Sequence, residues 1–256
     1  MKDEACTKKY FEDTLESIVL IVLRTESSEE LGQLLETLLA PFATKLVAPD
    51  ATSRSVETQL QLIGTIVKRC KSLSKRSPNP LYPLLKQLWP VFAGIFEKYF
   101  DKEDVIEALT RSLKHFMRSL MNDFDEFLHD YMNIIYSCYQ VRLVSTTIQK
   151  YPLNSYLYAS EVVVTVYGEN EERLADLQLM FDKMCEHTFT LITSQEDFQV
   201  HPDIAADFFG MSMRYMRYCS KVIFGSSQIE GLIQFAIVGI GIEHREAAKA
   251  LCLFFS

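Results

Sequence analysis

The sequence has no apolar run long enough to cross a bilayer. Its longest, residues 18–23, falls far short of the roughly 20 residues a spanning helix needs. Residues 1–9 are polar and charged and do not read as a secretory signal. Six cysteines (Cys6, Cys70, Cys138, Cys185, Cys219 and Cys252) stand singly, with no CxxC pair and no histidine at metal-ligand spacing. They read as small buried hydrophobes of a reducing compartment, and neither a metal nor a cofactor is expected. No P-loop, GxGxxG, GxSxG or HExxH occurs, and the histidines (His115, His129, His187, His201, His244) are scattered along the chain. The reading is a non-enzyme. A net charge of −8 argues against a phosphate-backbone grip over the whole surface, so no direct nucleic-acid binding is expected, and no membrane insertion either.

What is present is helical periodicity. Leu31, Leu34, Leu35, Leu38, Leu39 and Phe42 recur at i, i+3, i+4 over residues 28–47. A turn cluster at 49–53 ends that helix, and Leu60, Leu62, Ile63 and Ile66 repeat the spacing over 54–71. The pattern predicts further helices at 81–100, 103–120, 123–142, 155–167, 171–192, 202–219, 228–238 and 244–255. Residues 161–167 (EVVVTVY) are β-branched, yet their place in the series favours helix. Second helices of successive pairs begin near residues 54, 103, 155, 202 and 244, a period of roughly 40–50 residues, the range of HEAT and armadillo repeats.

The expected fold is therefore all-α, an α-α superhelix of five hairpins (28–71, 79–120, 122–167, 170–219, 226–256) with an unpaired helix at 4–24. Leu38–Ala43 recurs as Leu88–Ala93, with Pro41 and Pro90 in corresponding places. A proline inside a helix costs roughly 3 kcal/mol and kinks it, so the recurrence reads as a shared bend. The first and last helices lack the polar outer face of capping repeats, which reads as one array segment of a longer solenoid.

One cluster suggests binding chemistry. Arg111, Lys114 and Arg118 are spaced i, i+3, i+7 on the 103–120 helix, within about 60° of one another and nearly opposite Leu109, Leu113 and Phe116. A plain solvated face, with Glu107 pairing Arg111, explains the same residues. A second basic group, Lys68, Arg69, Lys71, Lys75 and Arg76, spans a helix end, where the helix dipole favours cations.

The order and spacing of several stretches resemble the karyopherin-β nuclear import receptors, of the transportin-SR and importin-thirteen type. They are Leu88-Trp89-Pro90-Val91, Tyr156-Leu157-Tyr158 with Tyr167-Gly168, and His201-Pro202-Asp203 with Asp207 and Phe209. Ile233 to Ile237 and His244 to Ala247 complete them, from about Gln59 onward. The resemblance implies a receptor shuttling between cytoplasm and nucleus. It would bind arginine/serine-rich, phosphorylated splicing-factor-like cargo, phenylalanine-glycine repeats of nucleoporins, and RanGTP through the full receptor. A scaffold of the same architecture, without transport, is the alternative.

In that type an arginine-rich helix grips phosphorylated cargo. Its pattern falls here on Arg111, Lys114 and Arg118 as the cargo-binding residues. Lys114 departs from it, since an ammonium lacks the planar fork of guanidinium. The resemblance also implies a shorter loop than the one at 142–154. Asp123, Asp125, Glu126 and Asp130 would attract the arginines of such a cargo.

Overall fold

The computed structural model describes residues 2–141 and 153–256. The long loop read at 142–154 falls mostly outside the described residues. These are helical throughout their regular structure, with no strand among them. They divide into two compact units, residues 1–128 and 129–256.

The first unit holds α1 (Lys2–Val22), α2 (Ser28–Leu46), α3 (Ser53–Arg69), α4 (Leu81–Lys98) and α5 (Glu103–Leu120). Local chemistry sets the helix starts. Ser27 accepts from the Glu30 N–H, and Thr52 accepts from the Ser55 N–H at 3.2 Å. Glu103 and Asp104 in the first turn of α5, and Arg118 in its last, suit the helix dipole. The helix predicted at 54–71 gives way at Cys70 to a 3-10 turn through Lys75. Pro41 and Pro90 both lie inside continuous helices.

Packing in this unit is by rows. The second helices α1, α3 and α5 lie side by side, while α2 rests on α3 and α4. α3 buries Leu60, Ile63, Ile66 and Val67, and α5 buries Ile106, Leu109, Leu113 and Phe116. The α3–α5 approach is close because Gly64 has no side chain. A Cβ there would stand 2.9 Å from the Ser112 hydroxyl. That hydroxyl donates to the Leu60 carbonyl at 2.7 Å, and Ser119 donates to the Val67 carbonyl at 3.5 Å. Both bonds link residues 52 apart in sequence, so the two helices run parallel in one register.

Asn79 clamps the next connection. Its amide donates to the Leu73 and Ser119 carbonyls at 3.1 and 2.7 Å, and its Oδ1 accepts from the Leu81 N–H at 3.0 Å. Trp89 packs against Phe124 and Phe127.

α6 (Asp125–Val141) carries the chain into the second unit, which holds α7 (Leu153–Tyr167), α8 (Leu174–Leu191), α9 (Gln195–Val200), α10 (Pro202–Tyr218), α11 (Ser220–Gly225), α12 (Ile229–Val238) and α13 (Arg245–Phe254). The row recurs, with α10 between α7 and α13. Arg214 donates to Glu161 at 2.7 Å across α7 and α10. Gly168 ends α7 where a Cβ would meet the Val164 carbonyl and the Tyr218 side chain. Phe235 is the aromatic hub, with Phe189, Phe198, Phe208 and Phe209 at centroid distances of 4.7–5.6 Å. Residues 161–167 are helical, as expected.

Three expectations need correction. The short helices α9 and α11 both lie in segments read as breaks. α9 is held by a capping box between Ser194 and Asp197. Nor are all the cysteines buried. Cys70, Cys185 and Cys219 are, but Cys138 is half-buried and Cys252 exposed, because the short α13 buries only Ala247 and Leu251.

Replacing Asn79 with alanine removes its bonds to the Leu73 and Ser119 carbonyls and to the Leu81 N–H, although the Leu73 carbonyl keeps the Arg76 N–H. The expected loss is about 2–4 kcal/mol, read as a lower urea midpoint. An unshifted midpoint would remove Asn79 from its role as a clamp.

Candidate anion-binding site

α5 is helical over its whole predicted length, so Arg111, Lys114 and Arg118 share one face as the spacing requires. Arg111 and Arg118 are exposed, whereas Lys114 is half-buried. Arg111 pairs with Glu107 one turn earlier, the contact anticipated for a solvated face. Both side chains are well exposed, so the pair contributes only about 0.3–0.5 kcal/mol and opens readily. Arg118 forms no ion pair among the described residues.

Beside this face lies a groove of about 240 Å3 between α1, α3 and α5. Glu12, Glu57, Gln61, Lys68, Asp104, Glu107, Arg111 and His115 are among the residues that line it, with Gly64 and Ser112 at its floor. The groove therefore exists where the Gly64–Ser112 approach brings α3 against α5. Lys68 is exposed and reaches Glu16 at 3.8 Å.

His115 and Lys68 were not among the residues expected here. His115 is half-buried one helical turn after Arg111. Its pKa is lowered to about 4, first by burial and then by the charges of Lys114, Arg118 and Lys68. The imidazole is thus neutral near pH 7, with cations of two helices close enough to act on it. Sequence reading set His115 aside as isolated and Lys68 as a helix-end cation.

Arg69 and Arg76 of the second basic group serve the fold. Arg69 bonds to Glu16, and Arg76 donates to the Thr25 and Glu26 carbonyls at 2.9 and 3.2 Å. Of the acidic residues that follow α5 in the sequence, Glu126 is engaged by Tyr82 and by Lys86 at 3.0 Å, and hydrogen bonds from both hold its carboxyl below the usual range. Asp123 and Asp130 are exposed, and Asp125 is half-buried.

A second groove, of about 270 Å3, lies in the second unit between α8, α9 and α12. Phe189, Ile192, Phe198, Gly231, Phe235 and Val238 line it. No helix among the described residues is long and apolar enough to cross a membrane.

Residues 79–192, which contain α5, match the family described as the transportin-3/importin-13 fourth TPR domain. Among curated relatives, Transportin MOS14 of Arabidopsis thaliana is 25% identical over 179 residues, covering 70% of this chain and 18% of its own length. Importin-13 of Homo sapiens is 20% identical over 187 residues, covering 71% of this chain and 18% of its own. Over residues 79–192 the chain is similar to karyopherin-β receptors of this kind. A solved structure of importin-13 in its cytosolic state has the same fold, with a TM-score of 0.78 over 96% of this chain and 28% of that one, at 18% identity. The chain thus has the all-α helical-repeat architecture read from its periodicity. It spans 18% of the length of these curated relatives.

The Gly64–Ser112 approach is the geometric condition of this site. Gly64→Val should force α3 from α5 and destabilise the first unit by about 1–3 kcal/mol. A variant with unchanged thermal stability and an unchanged His115 titration would show that the approach is not required.

Proposed function

We propose that this chain is part of a nuclear import receptor, and that Arg111, Lys114 and Arg118 bind arginine/serine-rich cargo carrying phosphoserine. One observation carries the reading. The stretch that matches the transportin-3/importin-13 family includes a helix with two exposed arginines on one face, beside a groove to which the preceding hairpin adds Lys68.

A phosphoserine brings close to two negative charges and three acceptor oxygens, and guanidinium meets phosphate through paired, charge-assisted bonds. Such bonds contribute about 1.5–3 kcal/mol each when well formed, and less at an exposed site in physiological salt. After the cost of association, these residues support micromolar binding. Exposed Asp123 and Asp130 offer counter-charges to the arginines of the same cargo.

The receptor as a whole would shuttle between cytoplasm and nucleus and release cargo to RanGTP. The aromatic groove between the first helices α8 and α12 has the size and lining for a phenylalanine ring of a nucleoporin repeat. A scaffold without transport would hold the same partners without responding to RanGTP.

A phosphorylated arginine–serine peptide should bind the chain with micromolar affinity at about 100 mM salt. Arg111→Glu/Arg118→Glu should weaken it at least tenfold while leaving helicity and thermal midpoint in place, because both side chains are exposed. Equal affinity for the two proteins by titration calorimetry would refute the assignment.

A further inference from the structure

We propose that His115 and Lys68 complete a phosphoryl-binding subsite in the groove at the α3–α5 seam, next to Arg111 and Arg118. The proposal rests on the reading of α5 as a phosphoserine site and deepens it. The subsite belongs to two helices from successive hairpins and not to the stripe of one helix.

Three observations converge on it. The groove is open and lined by His115, Lys68 and Arg111 together. The α3–α5 register is fixed by the Ser112 and Ser119 hydroxyls, so Lys68 is held beside α5. His115 feels Lys114, Arg118 and Lys68 at once, so a single anion at the imidazole lies within the field of all three cations.

The other charged groups around the groove are Arg111, Glu107 and Asp104 on α5, Glu57 on α3, and Glu12 and Glu16 on α1. Glu107 is already paired with Arg111, and Glu16 with Arg69 and Lys68.

A linkage follows. In the free protein His115 holds its proton only below about pH 4. A phosphoryl dianion in the groove offsets the cations that depress it, so the imidazole in the complex titrates at higher pH. Binding then takes up a proton between the two values. Affinity gains from His115 as pH falls through the higher value, and the gain is complete once pH reaches the lower one. Phosphoserine itself gains a proton near pH 6, which weakens binding. That effect is common to wild type and His115→Gln, so the ratio of their dissociation constants isolates the imidazole.

The test uses the 256-residue chain and a synthetic arginine–serine peptide, phosphorylated or not. The His115→Gln to wild-type ratio of dissociation constants should rise severalfold between roughly pH 7.5 and 5, since the dianion offsets the cations but not the burial that lowers the imidazole. Lys68→Ala should weaken the phosphorylated peptide severalfold.

The His115 ring-proton titration by NMR, on the wild-type protein, should move upward with the phosphorylated peptide and stay in place with the unphosphorylated one. This arm needs no variant to fold. Binding that is lost in Arg111→Glu/Arg118→Glu, together with a flat ratio and an unmoved His115 titration, would overturn the subsite and leave the proposed function standing. Failure of the wild-type chain to bind the phosphorylated peptide at any pH would overturn both.

Discussion

The seam between α3 and α5 is the constraint on which the first unit and its candidate site both depend. Burial of Leu60, Ile63, Ile66 and Val67 on one helix, and of Ile106, Leu109, Leu113 and Phe116 on the other, supplies most of the stabilisation. Each such side chain contributes about 1.5–3 kcal/mol when fully removed from water. Burial has no direction, however, and would tolerate a slide of one helix along the other. The Ser112 and Ser119 hydroxyls limit that freedom, since each reaches one particular carbonyl on α3, Ser112 while also bonded to the Ala108 carbonyl of its own helix. Gly64 permits the approach that makes those bonds possible. Position along the seam then decides which surface groups become neighbours.

The same logic repeats along the chain. Arg214 meets Glu161 across 53 residues of sequence, close to the 52 that separate Ser112 from Leu60. Arg69 also reaches Glu16 across 53 residues, and Arg76 reaches Glu26 across 50. Contacts between second helices thus recur at the period read from the apolar pattern, although their chemistry differs. A hydroxyl–carbonyl bond serves at the buried seam and a charge pair serves at the surface. This is what a repeat architecture demands, because each hairpin closes its core only against the next.

The helices and their period were legible because they are long and their apolar residues are dense. Residues 103–120 read as a helix from end to end, with acids at the start, a cation at the finish and an unbroken apolar face between. α9 and α11 were not legible, since six residues hold too few turns for periodicity to register. The capping box of α9 was present as Ser194 and Asp197, but it was passed over inside a break.

The candidate site was legible only in part. Spacing on one helix placed Arg111, Lys114 and Arg118 together and also gave the Glu107–Arg111 pair. It was blind to Lys68, which lies in another hairpin and meets His115 only because Gly64 lets two backbones come close. Adding the repeat period to Gly64 would have led to the neighbourhood of Ser112, the one signal that could have found it.

The Glu107–Arg111 pair bears on anion binding as well as on stability. In the free protein Glu107 already occupies Arg111, so a carboxylate ligand exchanges one single negative charge for another and gains little. A phosphoryl group carries nearly twice the charge and three acceptors, so it can displace Glu107 and still reach Arg118 or the imidazole. Half-buried Lys114 adds attraction without direction, as an ammonium does. If the proposed site binds anions, Glu107 competes with them for Arg111, and a pair that contributes about 0.3–0.5 kcal/mol weakens each by only about twofold.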